Sequence, residues 1–443
     1  MNWNFVNIKR CFADASFCVA SSKRFLMAAF IVSAMICAPG MGRADTKDTH
    51  GVPKASSARL GGDDQRTRFV ADISSSIGYS VYVLPDPFRV IIDLPEINFQ
   101  LPPGQGGAGR GLVTGYRFGL FSPGRSRIVI DASAPVLIEK SFVIPATELK
   151  PARLVVDIIK TDRDTFFKNR KSQLEARSKA ASLTTIPLPK RKPDGGFIAG
   201  LHKKSDRLKK TVSKRMIIID PGHGGIDAGA TGKRGLTEKR VVLSVARILK
   251  KILLKTERYD VEMTRDDDTF VPLRTRVEYA RKHAGDLFIS IHADTVKYSS
   301  VRGATLYTLS EKASDAEADA LAHKENRSDI IAGVDLAEEN DVVTDILIDL
   351  VLRETKNHSI YFAQTIVKSL GRVTRINKTP HRFAGFAVLK APDIPSVLLE
   401  LGFLSNRKDA KLLSSLKWRH RVSRAVAASI DKYFNVKIAK KPL

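Results

Sequence analysis

The 443-residue chain has little cysteine: Cys11, Cys18 and Cys37, and none beyond. That absence excludes a disulfide framework, a thiol nucleophile and a thiolate metal site from the rest of the protein. No apolar stretch reaches the roughly 18–20 residues needed to span a bilayer. Acidic side chains are the minority, 47 against 73 Lys and Arg, for a formal charge of +26. With 43% hydrophobic and 27% charged residues the composition is that of a folded globular protein. At this length two domains with linkers are expected.

Residues 1–44 read as an export signal. Lys23 and Arg24 precede an apolar run from Phe25 to Ala38, followed by Pro39-Gly40 and the small-x-small site Gly42-Arg43-Ala44. An uncleaved N-terminal anchor is the alternative. Ser22-Lys23-Arg24-Phe25-Leu26 is similar to a twin-arginine signal with Lys in place of one Arg, which leaves the route open. Removing the segment leaves 68 basic against 46 acidic side chains, +22, and no cysteine. In a cytosolic protein that excess would suggest nucleic acid. For an exported one the polyanion is the cell wall or membrane surface, and no aromatic–basic motif points to nucleic acid.

Residues 66–160 read as all-β: short runs rich in Val, Ile, Phe and Tyr, punctuated by Gly, Pro and Asp. Thr67, Phe69, Ala71 and Ile73 alternate with Arg68, Val70 and Asp72. Three strands repeat one pattern, Arg89-Val-Ile-Ile-Asp93, Arg127-Ile-Val-Ile-Asp131 and Arg153-Leu-Val-Val-Asp157. Similar units packed face to face suggest a β-sandwich. Without clustered His, Cys or paired carboxylates, this domain is assigned to binding. Residues 163–215 carry sixteen Lys and Arg against four acids, with Pro187, Pro189 and Pro193, and are expected to form an extended basic linker.

From 216 to 436 strands and helices alternate, which predicts an α/β domain with helices on both sheet faces. Strands are expected at Met216–Ile219, Val261–Thr264, Leu287–Ile291, Ala304–Leu309 and Val397–Leu399. Three strand ends carry chemistry. Met216-Ile-Ile-Ile-Asp220 runs into Pro221-Gly-His223-Gly-Gly225, Leu287-Phe-Ile-Ser-Ile291 into His292-Ala-Asp294, and Val397-Leu-Leu399 into Glu400. Ligands bind outside the carboxyl ends of such strands, so these residues should gather on one rim. Glu238 follows at a helix start, with Thr237 as its expected cap. His223, Glu238 and His292 make a nitrogen–nitrogen–oxygen set suited to Zn²⁺ with a fourth position open. Glu400 is placed to carry a proton between water and a leaving nitrogen. Arg265, Arg274 and Arg276 are candidates for a substrate carboxylate, which Arg grips bidentately, with salt bridging as the alternative.

Between Glu311 and His358 the balance inverts to thirteen acids against five Lys and Arg. Helices are expected around Ala316–Glu325 and Val342–Leu352, the second with Val343, Ile346, Leu347, Leu350 and Val351 on one face. This insertion reads either as an acidic surface excursion or as a lid.

Asp220-Pro-Gly-His-Gly-Gly, Leu236-Thr-Glu, Ser290-Ile-His-Ala-Asp and Leu399-Glu-Leu-Gly-Phe-Leu-Ser-Asn406, in that order, resemble the family 3 N-acetylmuramoyl-L-alanine amidases. The resemblance implies zinc on His223, Glu238 and His292, with Glu400 catalytic. The implied bond is the amide between the muramic lactyl group and L-alanine of peptidoglycan. The β region resembles the AMIN domain, a β-sandwich targeting module for cell wall or divisome. The insertion resembles the autoinhibitory segment of the cell-separation subgroup, whose activators carry degenerate LytM-type domains. On that resemblance Glu325 is the expected blocking ligand and the second helix the expected docking face. Periplasmic residence and a role in separating daughter cells are likewise implied. Two competing readings are a zinc peptidase acting within stem peptides and a non-catalytic wall-binding protein.

Overall fold

The computed structural model describes residues 51–102, 104–183, 214–232, 235–335 and 347–439. The export-signal reading and the expected apolar face at 342–352, apart from backbone from Leu347 onward, lie outside these residues. The described chain falls within one compact unit, His50–Leu443.

The N-terminal region is built of β1 (Lys54–Gly62), β2 (Arg66–Ile73), β3 (Ser80–Leu84), β4 (Arg89–Pro95), β5 (Asn98–Phe99), β6 (Val113–Ser122), β7 (Arg125–Ala132), β8 (Val136–Ile144) and β9 (Ala152–Lys160). They form two sheets, ordered β5-β1-β2-β9-β8 and β3-β4-β7-β6. Phe69, Leu154 and Val156 from the first and Val90, Ile92, Ile128 and Ile130 from the second share one apolar core. The alternating Thr67, Phe69, Ala71 and Ile73 are all buried. The region starts earlier than expected, because β1 is rich in Ser, Ala and Gly and carries little apolar signal.

The repeated pattern supplies β4, β7 and β9. Alternate side chains of a strand share a face. Since Val90, Ile92, Ile128 and Ile130 point into the core, the Arg, the central apolar residue and the Asp point outward together. In the antiparallel β4–β7 register Arg89 faces Asp131, Ile91 faces Val129 and Asp93 faces Arg127. The outer face is thus an apolar saddle with an Arg–Asp pair at either end.

The first 21 residues of the expected extended linker are instead helix α1 (Arg163–Leu183). The prolines begin at 187, and the preceding Lys, Arg, Gln, Glu and Ala are good helix formers. Asp162 accepts a hydrogen bond from the Thr165 amide at 2.9 Å, and Phe166 anchors the first turn in the sandwich core. Residues 184–213 lie outside the description.

The C-terminal domain comprises β10 (Arg215–Pro221), α2 (Glu238–Leu254), β11 (Tyr259–Met263), α3 (Leu273–Lys282), β12 (Leu287–His292), β13 (Ala304–Leu309), α4 (Ala316–Glu325), α5 (Ser328–Ile331), α6 (Leu347–Leu370), β14 (Ile376–Ala384), β15 (Ser396–Glu400), α7 (Arg407–Leu413) and α8 (Leu416–Ala439). Its six-stranded sheet runs β11-β10-β12-β15-β13-β14. Strand β14 was not expected: it contains Pro380 amid Lys378, His381 and Arg382, and it sits at the sheet edge, where proline is tolerated. Helices α2, α6 and α8 pack on one face through Val241, Val245, Leu249, Phe362, Ile366, Val426 and Ile430. The other face is covered by α3 and α4, with Ala280, Leu321 and Ala322 against Phe288, Tyr307 and Leu398. Helix α6 runs unbroken across 358, the expected end of the insertion. The Thr237 side chain makes no cap bond, although its backbone is extended as a cap requires.

Candidate metal centre

Parallel pairing of β10, β12 and β15 brings three strand ends to one rim, with His292 directly opposite Glu400. Beyond β10 the chain must reverse at once to present His223. His223 itself has φ 58°, followed by Gly224 at 127° and Gly225 at 53°, conformations that glycine adopts without steric cost. At Gly229, φ 63°, a Cβ would lie 2.6 Å from His223 Cδ2 and 2.8 Å from Glu238 Oε2. A side chain at Gly222 would enter the His292 ring.

Two buried arginines hold this loop. Arg276 donates to Asp220 at 2.7 Å, to the Pro221 carbonyl at 2.9 Å and to the His223 carbonyl at 2.9 Å. Arg265 donates to the carbonyls of Pro221 at 3.0 Å and Gly222 at 2.8 Å. Burial, with Arg276 nearby, pulls Arg265 down to about 10, still charged at neutral pH. The expectation that Arg265 and Arg276 take a substrate carboxylate is therefore corrected: their forks are spent on backbone and on Asp220. Arg274 lies outward on α3 and pairs with Glu278 at 2.8 Å.

His223, Glu238, His292, Glu400 and Glu325 converge, all buried. His223 Nε2 lies 3.1 Å from Glu238 and 3.6 Å from Glu325. His292 Nδ1 lies 3.2 Å from each of the same two carboxylates. Ligand atoms of His223, His292 and Glu325, and those of Glu238, His292 and Glu400, fall within 4.8 Å of one another. Behind His223, Nδ1 meets Asp227 at 2.8 Å, which leaves Nε2 facing the centre. This carboxylate–imidazole arrangement orients metal-binding histidines. Burial would raise Asp227, yet the His223 ring outweighs it and holds the carboxyl at about 2.

The electrostatics ask for a cation. Glu238, Glu325, Glu400 and Asp294 crowd one buried space, and unpaired buried charge is costly. Burial, then Glu238 and Asp294, pushes Glu400 well above the carboxylate range. Burial also raises Glu325. His223 Nε2, Glu325 Oε1 and Glu400 Oε1 are buried without a hydrogen-bond partner. These orphaned atoms, on one imidazole and two carboxylates beside His292 and Glu238, fit a divalent ion of the zinc type.

Sequence reasoning missed Asp220 and Asp227 as positioning groups, though both flank the Pro-Gly-His turn. Asp220 accepts from Thr264 and Ser290 at 2.6 Å each, fixing the strand ends side by side.

Helix α4 spans Ala316–Glu325 as expected, and its last residue enters the ligand set. Asp315 caps its start, accepting from the Glu317 and Ala318 amides at 3.1 and 2.9 Å. Arg382 binds Asp315 at 3.1 Å and Glu317 at 2.6 Å. At the other end Lys324 pairs with Asp294 and Ser328 with Asp227. Asn326 bonds the Gly385 carbonyl and the Ala387 amide, each at 2.8 Å. The Leu273 amide donates to Asp329 at 3.0 Å.

Residues 217–432 match the family model described as Amidase_3, N-acetylmuramoyl-L-alanine amidase. The chain is 32% identical over 373 residues to N-acetylmuramoyl-L-alanine amidase AmiC of Escherichia coli O6:H1, covering 83% of this chain and 86% of that protein. It is 31% identical over 402 residues to the AmiC of Neisseria meningitidis serogroup B, covering 88% and 92%. The AmiA of Salmonella typhimurium is 40% identical over 235 residues, covering 53% and 81%.

Proposed function

The chain belongs to the N-acetylmuramoyl-L-alanine amidase family, and from that premise we propose a zinc-dependent, self-inhibited peptidoglycan amidase. His223, Glu238 and His292 would hold the ion. Bound there, zinc would polarise the scissile carbonyl and acidify a water. Glu400 takes the water's proton and returns it to the leaving L-alanine nitrogen, a task suited to a carboxyl whose pKa is raised by burial. Asp227 keeps the His223 ring turned so that Nε2 faces the ion. Arg265 and Arg276 keep the loop beneath it closed.

The observation that carries self-inhibition is the place of Glu325. Its carboxylate lies 3.2 Å from His292 and 3.6 Å from His223, where a substrate carbonyl or water would have to enter. Lys324, Asn326 and Ser328 tie down the residues around it. Activation then requires α4 to leave, and a LytM-type activator docking on the insertion is the partner we assign to that step. Export to the periplasm, a role in cell separation and targeting of the β-sandwich to wall or divisome complete the reading.

The test is product analysis. Zinc-loaded protein with α4 displaced should release intact stem peptides carrying an L-alanine amino terminus from purified peptidoglycan. Glu400→Gln should retain zinc and lose about 10²–10⁴-fold in turnover, the range for a lost general acid–base. Cuts within the stem would support the peptidase reading instead. Zinc-loaded protein that binds wall and releases nothing, even with Glu325 removed, would support the non-catalytic one.

A further inference from the structure

After α4, Asn326, Ser328 and Asp329 bond the catalytic domain, and the chain then runs onto the β-sandwich. Ile330 to Asp335 cross the outer face of the β3-β4-β7-β6 sheet. Arg89 donates to the Ile330 carbonyl. Arg117 donates to the Ile331 carbonyl at 2.6 Å and is held from behind by Asp131. Arg127 donates to the carbonyls of Ala332 at 3.3 Å and Gly333 at 2.7 Å, while Asp93 holds its other edge at 2.5 Å. Arg170 of α1 pairs with Asp335 at 2.9 Å. Between the arginines, Ala332 and Val334 settle on an apolar patch of Tyr82, Ile91 and Val129, which also receives Ile226 and Phe270 of the catalytic domain. The fit leaves no slack: a Cβ on Gly333, φ 70°, would lie 2.7 Å from Ile91 Cδ1.

We propose that this face of the β-sandwich has a second function, as the clamp that holds the inhibitory segment shut. The inference rests on reading α4 as the lid. Four arginines from the β-sandwich and α1 grip backbone carbonyls and one carboxylate of a stretch that begins five residues after Glu325. Backbone carbonyls present the same acceptors whatever the side chain, so the clamp recognises the carbonyl end of the short helix α5 and the turn that follows it, and not a sequence. The Arg89 guanidinium stays charged: burial, with Arg117 beside it, lowers it only to about 10. Hydrogen bonds from a charged donor are about twice as strong as neutral ones, and they exist only while the segment is seated. Each adds to the closed state and nothing to the open one, which is what shifts a two-state equilibrium. Displacing α4 therefore requires breaking contacts with the N-terminal domain as well as with the catalytic site.

The experiment uses full-length, zinc-loaded protein without activator, and reads two quantities. One is backbone hydrogen exchange across residues 321–334; the other is basal release of stem peptides. Gly333→Ala attacks the seat from the lid side, and Arg117→Met attacks it from the sandwich, so a folding defect in one leaves the other informative. Either should speed exchange and raise basal release by about tenfold, as expected when charge-assisted hydrogen bonds are lost from one state only. Glu325→Ala is the parallel control for the lid. If it raises release while both clamp variants, folded, leave exchange and release at wild-type values, the clamp is overturned and the lid stands. If Glu325→Ala leaves release unchanged in zinc-loaded protein, the lid falls, and the clamp's control of turnover falls with it.

Discussion

Two sets of arginines in this molecule do the same chemistry with opposite consequences. Arg265 and Arg276 donate to the carbonyls of Pro221, Gly222 and His223. Arg89, Arg117 and Arg127 donate to those of Ile330 to Gly333. The first set belongs to the same domain as its loop and builds the metal centre. The second reaches across from the β-sandwich to the segment that follows α4, the proposed lid. A guanidinium on a carbonyl is thus neither structural nor regulatory by itself. What decides is whether the held segment has anywhere else to go.

The comparison breaks most visibly at Arg276. Arg276→Ala leaves Asp220 charged and buried without its partner, so unfolding free energy should fall by about 3–5 kcal/mol, with zinc retention and turnover lost together. Denaturant unfolding and metal analysis check it, and Arg276→Lys should not rescue, because one ammonium cannot span Asp220 and two carbonyls. Arg117→Met, by contrast, should raise turnover at modest cost in stability. If both substitutions lowered activity alike, the distinction between the two sets would fail.

Asp227→Asn sharpens the contrast from inside the centre. It weakens the orientation of His223 and also the Ser328 latch on the lid. Zinc affinity should drop about 10–100-fold, the range for a lost carboxylate behind a metal-binding histidine, measurable by competition with a chelator. The smallest effect on turnover is expected on the opposite sheet of the sandwich. There Arg68 meets Asp157 at 2.6 Å with its side chain 54% exposed. Arg68→Ala leaves the buried Asp157 carboxylate without its partner and should cost about 1–3 kcal/mol, yet leave basal turnover at the wild-type value.

Much of the candidate centre was readable in the chain because three of its residues close strands whose apolar runs announce them, while Glu238 opens a helix and Glu325 ends one. His223, His292 and Glu400 follow Ile219, Ile291 and Leu399, all fully buried, and parallel register does the rest. The helix ending at Glu325 was legible from its acidic, alanine-rich composition. The arginines were harder. Arg265 and Arg276 have the local look of substrate-binding residues, and only the folded loop reveals that backbone carbonyls occupy them. The Arg–apolar–Asp repeat of β4 and β7 was visible, but its use depends on Ala332 and Gly333, some 200 residues away. Strand β14 was hidden because an edge strand can carry proline and charge. Helix α1 was hidden because its basic composition suits a solvated linker equally well until Phe166 finds the sandwich core.

The central claim is that Glu325 closes a working amidase centre. The most direct measurement compares stem-peptide release by full-length, zinc-loaded protein with that of Glu325→Ala, each at equal measured zinc occupancy and without activator. The account predicts that the variant releases intact stems, beginning with L-alanine, severalfold faster than wild type or more. Equal or slower release at full zinc occupancy would contradict it.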